Sequence, residues 1–357
     1  MSIPPKGLDL ARTFYAEVVR KIIAVPHTAC LIGEGSEVLG YDTERSTDHE
    51  WGPRLQMFVD AGDVMPLRDR LEAALPSTHR DHPVRWFSLA AGTTTHHIEV
   101  DTTKSWLGHH LPTIPFDGPD TAAWLAVPQQ HLLQLTAGEV FHDDLGQLTN
   151  LRQTFRWYPL DVWRWMIATQ WHLIGNAEPL AARAFEAGDE RGARVLIGRL
   201  CRLIMEMTFL QEQQYRPYDK WFGSGFAALS GSAAIGPLID TALHERPSSR
   251  SDGPLQQALL QLGDRHNHLR ITASVDPRIT DFAVGTNDAV RPFPVLNTAA
   301  YIDATVDAIT DPAVRELPRV GTIDQLTHAD DTLINFTDWP AAIARAYRAR
   351  LGADVDR

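Results

Sequence analysis

Apolar positions recur at helical spacing from Leu8 to Val25, with Leu8, Phe14, Val18, Ile22 and Ile23 on one side, and Pro26 ends the run. Thr28–Ile32 is a short apolar stretch, the pattern of a buried strand, and Gly33-Glu34-Gly35-Ser36 follows as a tight turn. Arg54–Val59 predicts a second strand, reaching back toward Asp48. Val64–Leu75 predicts a helix stopped by Pro76, and His97–Asp101 alternates polar and apolar residues as a third strand does.

Beyond Asp120 the period changes. Leu160–Leu173 and Arg191–Gln213 carry apolar residues at helical spacing, the second through Val195, Leu196, Leu200, Leu203, Ile204 and Met207. Ala299–Ile309 and Pro340–Leu351 also predict helices, the last with Asp338 as its cap and Pro340 in its first turn. Ser248–Pro254 is a polar break, expected as a loop, and Trp163, Trp165 and Trp171 are expected in the core or at domain contacts. The pattern therefore predicts an α+β protein, with a small α/β domain of mixed sheet and helices over residues 1–118 and a helical bundle over 119–357.

Composition narrows the function classes. The 357 residues carry a net charge of -12, which argues against a dedicated nucleic-acid binder and its basic face. Cys30 and Cys201 are too few for a disulfide framework or a cysteine zinc site, so a reducing cytoplasm is the expected location. The N-terminus has no apolar signal core, and no apolar run approaches a membrane span.

The candidate chemistry centres on carboxylates. Asp48 and Glu50, two apart, share a face if they lie on a strand. Such a pair repels itself unless a cation neutralises it, and hard oxygen ligands suit Mg²⁺ with substrate phosphates completing its shell. Upstream, Gly35 lets the backbone approach a phosphate, and Ser36 can donate to it. A third acid, Glu99 or Asp101, would complete a two-metal site; Glu99, between Ile98 and Val100, is the better fit and Asp101 the fallback.

The stretch from Gly35-Ser36 to Asp48-His49-Glu50-Trp51 resembles the pattern of the nucleotidyltransferase superfamily: Gly-Ser, a spacer, then acid-x-acid. Asp48–Arg54, Leu135–Asp143 and Tyr215–Gly223 extend the resemblance to a little-characterised bacterial family of nucleotidyltransferase-like proteins with a helical C-terminal half. It implies a nucleotidyltransferase α/β domain, with the cleft between it and the helical domain. It further implies transfer of a nucleoside monophosphate, AMP from ATP, to a hydroxyl of a small acceptor. In that reading Asp48 and Glu50 hold Mg²⁺, and Glu99 or Asp101 helps hold a second ion. Glu99 also accepts the hydroxyl proton, and Gly35, Ser36, Arg54 and Lys220 bind the nucleotide. The superfamily commonly has aspartate where Glu50 stands. A nucleotide-binding or partner-binding protein without turnover therefore stays an alternative, as does AMP transfer to protein or RNA.

Some residues have a plainer reading. Lys220, among Tyr218, Trp221 and Phe222, reaches a phosphate or packs its stem on aromatics, and Arg54 contacts a phosphate or ends a strand in solvent. On such a strand His49 is expected to face away from the acids. His97-Ile98-Glu99 lacks the Cys-x-x-Cys of zinc deaminases, Gly33–Val38 fails the dinucleotide fingerprint, and Asp264–His268 is expected on a polar helix face.

Overall fold

The computed structural model describes residues 6–48, 51–88, 92–245, 253–283 and 289–352. The chain divides into two compact units: Met1–Ala123 with Gln130–Arg156, and Trp124–Gln129 with Trp157–Arg357. The fold is mixed α/β, with a helical C-terminal half.

The first unit is built on a five-stranded mixed sheet. Its strands are β1 (Thr28–Leu31), β2 (Arg54–Phe58), β5 (Arg85–Ser88), β6 (Thr93–Asp101) and β7 (Glu139–Asp143), while β3 (Thr78–His79) and β4 (His82–Pro83) form a separate small hairpin. The order is β5-β6-β2-β1-β7; β2 and β6 run parallel and the other neighbours antiparallel. Helices α1 (Gly7–Glu17) and α2 (Val64–Ala74) cover one face, and α3 (Thr103–His110) follows β6. Strand alternation explains that burial. Ala29, Leu55, Met57, Ile98 and Val100 join Phe14, Tyr15, Leu67 and Leu71 in one apolar core. On the opposite pleat β2 places Arg54, Gln56 and Phe58, in register with His97, Glu99 and Asp101 of β6.

Two differences from the sequence pattern have local causes. The α/β unit continues past residue 118, because β7 pairs with β1 from Thr28↔Asp143 to Leu31↔Glu139. The strand expected to begin near Asp48 begins only at Arg54. Pro53 has no N–H to give the ladder, so pairing cannot extend back through it. Asp48 instead closes a 3₁₀ turn, Glu44–Asp48, and is exposed; His49 and Glu50 lie outside the described residues.

Helices α4 (Thr121–Ala126) and α5 (Gln129–Thr136) span the change of unit, and α6 (Gln147–Thr154) closes the first. The second unit is dominated by α7 (Leu160–Glu186) and α8 (Glu190–Gln211). Around them lie α9 (Asp219–Ala227), α10 (Ser232–His244), α11 (Pro254–Leu269) and α12 (Thr298–Asp307), with the hairpin β8 (Ile279–Ala283) and β9 (Val290–Leu296). Among the described residues three short helices follow, α13 (Pro312–Arg315), α14 (Ile323–Thr327) and α15 (Asp331–Asn335), and then α16 (Trp339–Arg350). Trp165, Trp171 and Tyr301 are fully buried at its centre.

His266 departs from the expected polar face. It is buried, its Nδ1 accepts from Trp171 Nε1 at 3.2 Å, and its Nε2 lies 3.0 Å from Thr272 Oγ1. Asp338 holds the N-cap position of α16 without a side-chain cap bond; its carboxylate lies 3.9 Å from Arg345. Most of the Ser248–Pro254 stretch lies outside the described residues, and α11 begins at Pro254. Among the described residues no helix is long and apolar enough to cross a membrane.

Candidate functional site

The turn after β1 is pinned at both ends. Ile32 N–H donates to the buried Gln56 Oε1 at 3.0 Å, and Gly33 N–H donates to Gln134 O at 2.8 Å. Gly33 has φ +86°, and a Cβ there would lie 3.3 Å from the Trp106 ring. Gly35 has φ +127°, and a Cβ there would lie 2.5 Å from the Arg54 guanidinium. Both positions combine a left-handed backbone with close neighbours, which only glycine accommodates.

Arg54 is the bracket of this turn. Its Nε donates to Glu37 Oε1 at 2.8 Å and its Nη2 to the Glu34 carbonyl at 2.5 Å. Both side chains are largely buried, 17% and 6% exposed. Removing one partner of such a pair would strand the other charge. Arg54 is thus neither a solvated strand end nor a free cation. Beyond it, Tyr41 N–H closes on Ser36 O at 2.9 Å and Gly40 N–H on Glu37 O at 3.2 Å. Among the described residues the N–H groups of Gly35 and Ser36 have no acceptor and the Ser36 hydroxyl has no partner.

Glu99 sits beside this turn through a tryptophan. It pairs with Gln56 across the parallel ladder, and Trp106 Nε1 donates to its Oε2 at 2.6 Å. His110, one turn further along α3, stacks on Trp106 with centroids 4.7 Å apart and brings Nε2 within 3.5 Å of the same oxygen. Since Trp106 also packs on Gly33, Glu99 is separated from the glycine turn by one ring. Asp101 is engaged otherwise. Its Oδ1 accepts from Thr102 N–H at 2.7 Å where α3 starts, and its Oδ2 lies 3.9 Å from His109.

Supporting groups are inert. Burial pushes the Cys30 thiol far above its ordinary range, so it does not act as a nucleophile. Burial lowers the pKa of Arg152, whose guanidinium donates to the carbonyls of Thr136 and Ala137 at 2.7 and 2.9 Å. Another cluster, His27, His142 and Asp144, has its ligand atoms within 4.8 Å of one another. His27 nevertheless has both ring nitrogens engaged, with Tyr15 Oη and the Val25 carbonyl, each at 2.9 Å. Binding an ion there would break one of those contacts.

Lys220 belongs to the helical unit, where its ammonium lies 4.9 Å from the centre of the Trp221 ring. The structure thus gathers Gly35, Ser36, Arg54 and Glu99 around one turn. It leaves Asp48 on an exposed 3₁₀ turn, and Glu50 lies outside the described residues. Glu37, Gln56, Trp106 and His110 were not singled out from sequence. The available signal was an aromatic-histidine pair four residues apart on the helix after an acid-bearing strand.

Residues 124–222 match the model of a domain of unknown function, DUF4037, a stretch that excludes the glycine turn and β6. No curated protein matches. Among solved structures, the chain is similar to a nucleotidyltransferase-like protein from Exiguobacterium sibiricum 255-15. The identity is 10% and the TM-score 0.30, over 87% of this chain and 91% of the other. A likeness at that score carries no argument, and the functional reading rests on the turn itself.

Proposed function

We propose that the chain is a metal-dependent nucleotidyltransferase that moves AMP from ATP to a hydroxyl of a small-molecule acceptor. The observation that carries this reading is the bracketed turn. Arg54 holds a glycine-rich backbone in place while, among the described residues, the N–H groups of Gly35 and Ser36 and the Ser36 hydroxyl have no partner, one aromatic ring from a carboxylate. Donors fixed in advance bind a phosphate at low reorganisation cost. Gly35 and Ser36 would take the leaving phosphates. Glu99, oriented by Trp106 and His110, would accept the proton of the attacking hydroxyl. Mg²⁺ held by Asp48, Glu50 and Glu99, with Asp101 as the alternative, would stabilise the attacking and leaving oxygens. The donor set fits that ion, since carboxylate oxygens are its usual protein ligands.

A second reading has its own support. Asp48 sits on an exposed turn rather than on β2 beside Glu99, an arrangement that suits nucleotide binding without turnover. Calorimetric titration with ATP and Mg²⁺, and pyrophosphate release with a panel of hydroxyl acceptors, separate the two. Binding that is lost in Ser36→Ala plus Asp48→Ala supports the site, and pyrophosphate release lost in Glu99→Gln supports transfer. Binding unchanged in the double variant overturns both readings. Binding with no pyrophosphate release on any acceptor leaves the second.

A further inference from the structure

The helical unit contains a cavity of about 60 Å³ between α7, α8, α10, α11 and β9. On the same measure a single water needs roughly 10–15 Å³, so the space admits a charged head with a short carbon chain. Its apolar walls include Phe185, Ile197, Leu200, Phe293 and Pro294, and the amide of Gln256 also lines it, with its Nε2 donating to the Pro294 carbonyl at 3.2 Å. Glu178, buried within α7, also lines it. Both carboxyl oxygens receive the same N–H, that of Leu296, at 2.9 and 3.1 Å. The other charged group at the wall is Glu245, at the end of α10; no lysine, arginine or histidine lines the cavity among the described residues.

This arrangement is unbalanced in either protonation state. Among the described residues an ionised Glu178 has one amide donor and no counter-charge. A protonated Glu178 has an O–H and, among the described residues, no acceptor for it. Burial pushes its carboxyl up to about 8, as expected of an acid with no cation beside it. An ammonium group entering the cavity would supply both the missing charge and further donors, and its carbon chain would meet the apolar walls.

We infer that this cavity is a binding site for a small primary alkylamine, held by Glu178 as its counter-ion. The inference does not depend on the nucleotide reading, and it places an organic cation in the helical unit. The chain is short because the cavity holds only about 60 Å³.

The test uses the full chain and n-butylamine hydrochloride as probe, followed by calorimetry near pH 7, with n-butanol as its neutral counterpart. Butylammonium is expected to bind and butanol not to. Binding should release about one proton from Glu178, read from the dependence of the heat on the buffer's ionisation enthalpy. Glu178→Gln should weaken butylammonium by about thirty-fold or more and abolish the proton release. Ala182→Leu, which fills the space from the wall and leaves the acid in place, should also lose the probe; it serves if Glu178→Gln does not fold. Equal binding of butanol, no binding of butylammonium, or unchanged binding in the variants would each overturn the inference.

Discussion

Protonating His266 should destabilise the helical unit, and the structure sets the size of the effect. The Trp171 indole can only donate, so His266 Nδ1 is the acceptor and Nε2 carries the proton toward Thr272 Oγ1, which donates onward to Ala273 O at 2.8 Å. A second proton on Nδ1 would face the indole N–H. Burial lowers the histidine from 6.5 to about 4. A depression of about 2.5 units corresponds to roughly 3 kcal/mol of stability. The sign follows from proton uptake. Between pH 6.5 and 4 the unfolded chain binds the proton and the folded chain does not. Stability from this residue is therefore present above about pH 6.5 and lost as pH falls toward 4. The assay is urea denaturation of the wild type and His266→Gln at pH 7.5 and pH 5.0, read by tryptophan fluorescence. Glutamine keeps an acceptor and a donor but does not titrate. At pH 7.5 the variant should be the less stable; at pH 5.0 its deficit should shrink by about 2 kcal/mol. Other groups titrate in both proteins and cancel in the difference. A deficit constant across the two pH values would refute the reasoning.

Other expectations follow from the same geometry. Arg54→Ala should lower the stability of the α/β unit by about 3–5 kcal/mol, because Glu37 is left buried and unpaired; a melting temperature equal to that of the wild type would contradict this. Glu178, raised to about 8, stabilises the fold below about pH 4.5 and loses that contribution as pH rises through 8; Glu178→Gln should gain several kcal/mol relative to the wild type between pH 5 and 9, measured by urea denaturation. Trp106→Phe keeps the ring beside Gly33 and removes the N–H that Glu99 accepts. If Glu99 takes the hydroxyl proton, pyrophosphate release should fall with little change in melting temperature, and unchanged release would separate Trp106 from the chemistry.

The sequence pattern and the structure agree best where the period is long and locally set. Val64–Leu75 forms α2 to within one residue, and Arg191–Gln213 forms α8 to within two. The strand His97–Asp101 lies in β6, which begins earlier, at Thr93, because β5 pairs with its first half. What the pattern missed is non-local. Glu139–Asp143 reads as a short isolated run, and only its pairing with Thr28–Leu31 makes it the edge of the sheet. His266 lies among Asp264, Arg265, Asn267 and His268 in the sequence, yet the α11 face it occupies turns toward Trp171 and Tyr301. The turn at Gly35-Ser36 was legible from the chain, and the strand that carries Glu99 from its apolar flanks. The role of Arg54 was not, since its partner Glu37 is seventeen residues away and lies on the turn it was expected to leave open for phosphate.

That pairing has an electrostatic consequence for the proposed reaction. From Gly33 to Arg54 the chain carries six acids, Glu34, Glu37, Asp42, Glu44, Asp48 and Glu50, against two arginines, Arg45 and Arg54. Arg54 is committed to Glu37, and Glu99 adds a further acid beside Gly33. A triphosphate approaching the amides of Gly35 and Ser36 therefore meets a field of its own sign, in a chain whose net charge is already -12. Two backbone donors and a hydroxyl do not offset that repulsion, whereas divalent cations bridging the carboxylates and the phosphates do. Nucleotide binding should accordingly be conditional on the metal: ATP with Mg²⁺ binds, and ATP with a chelator does not. AMP, with fewer charges, should be affected less. Calorimetry of the four combinations decides the matter. ATP bound equally well in the presence of chelator would mean that the phosphates meet some cationic surface other than this turn, and the proposed role of Gly35 and Ser36 would fall with it.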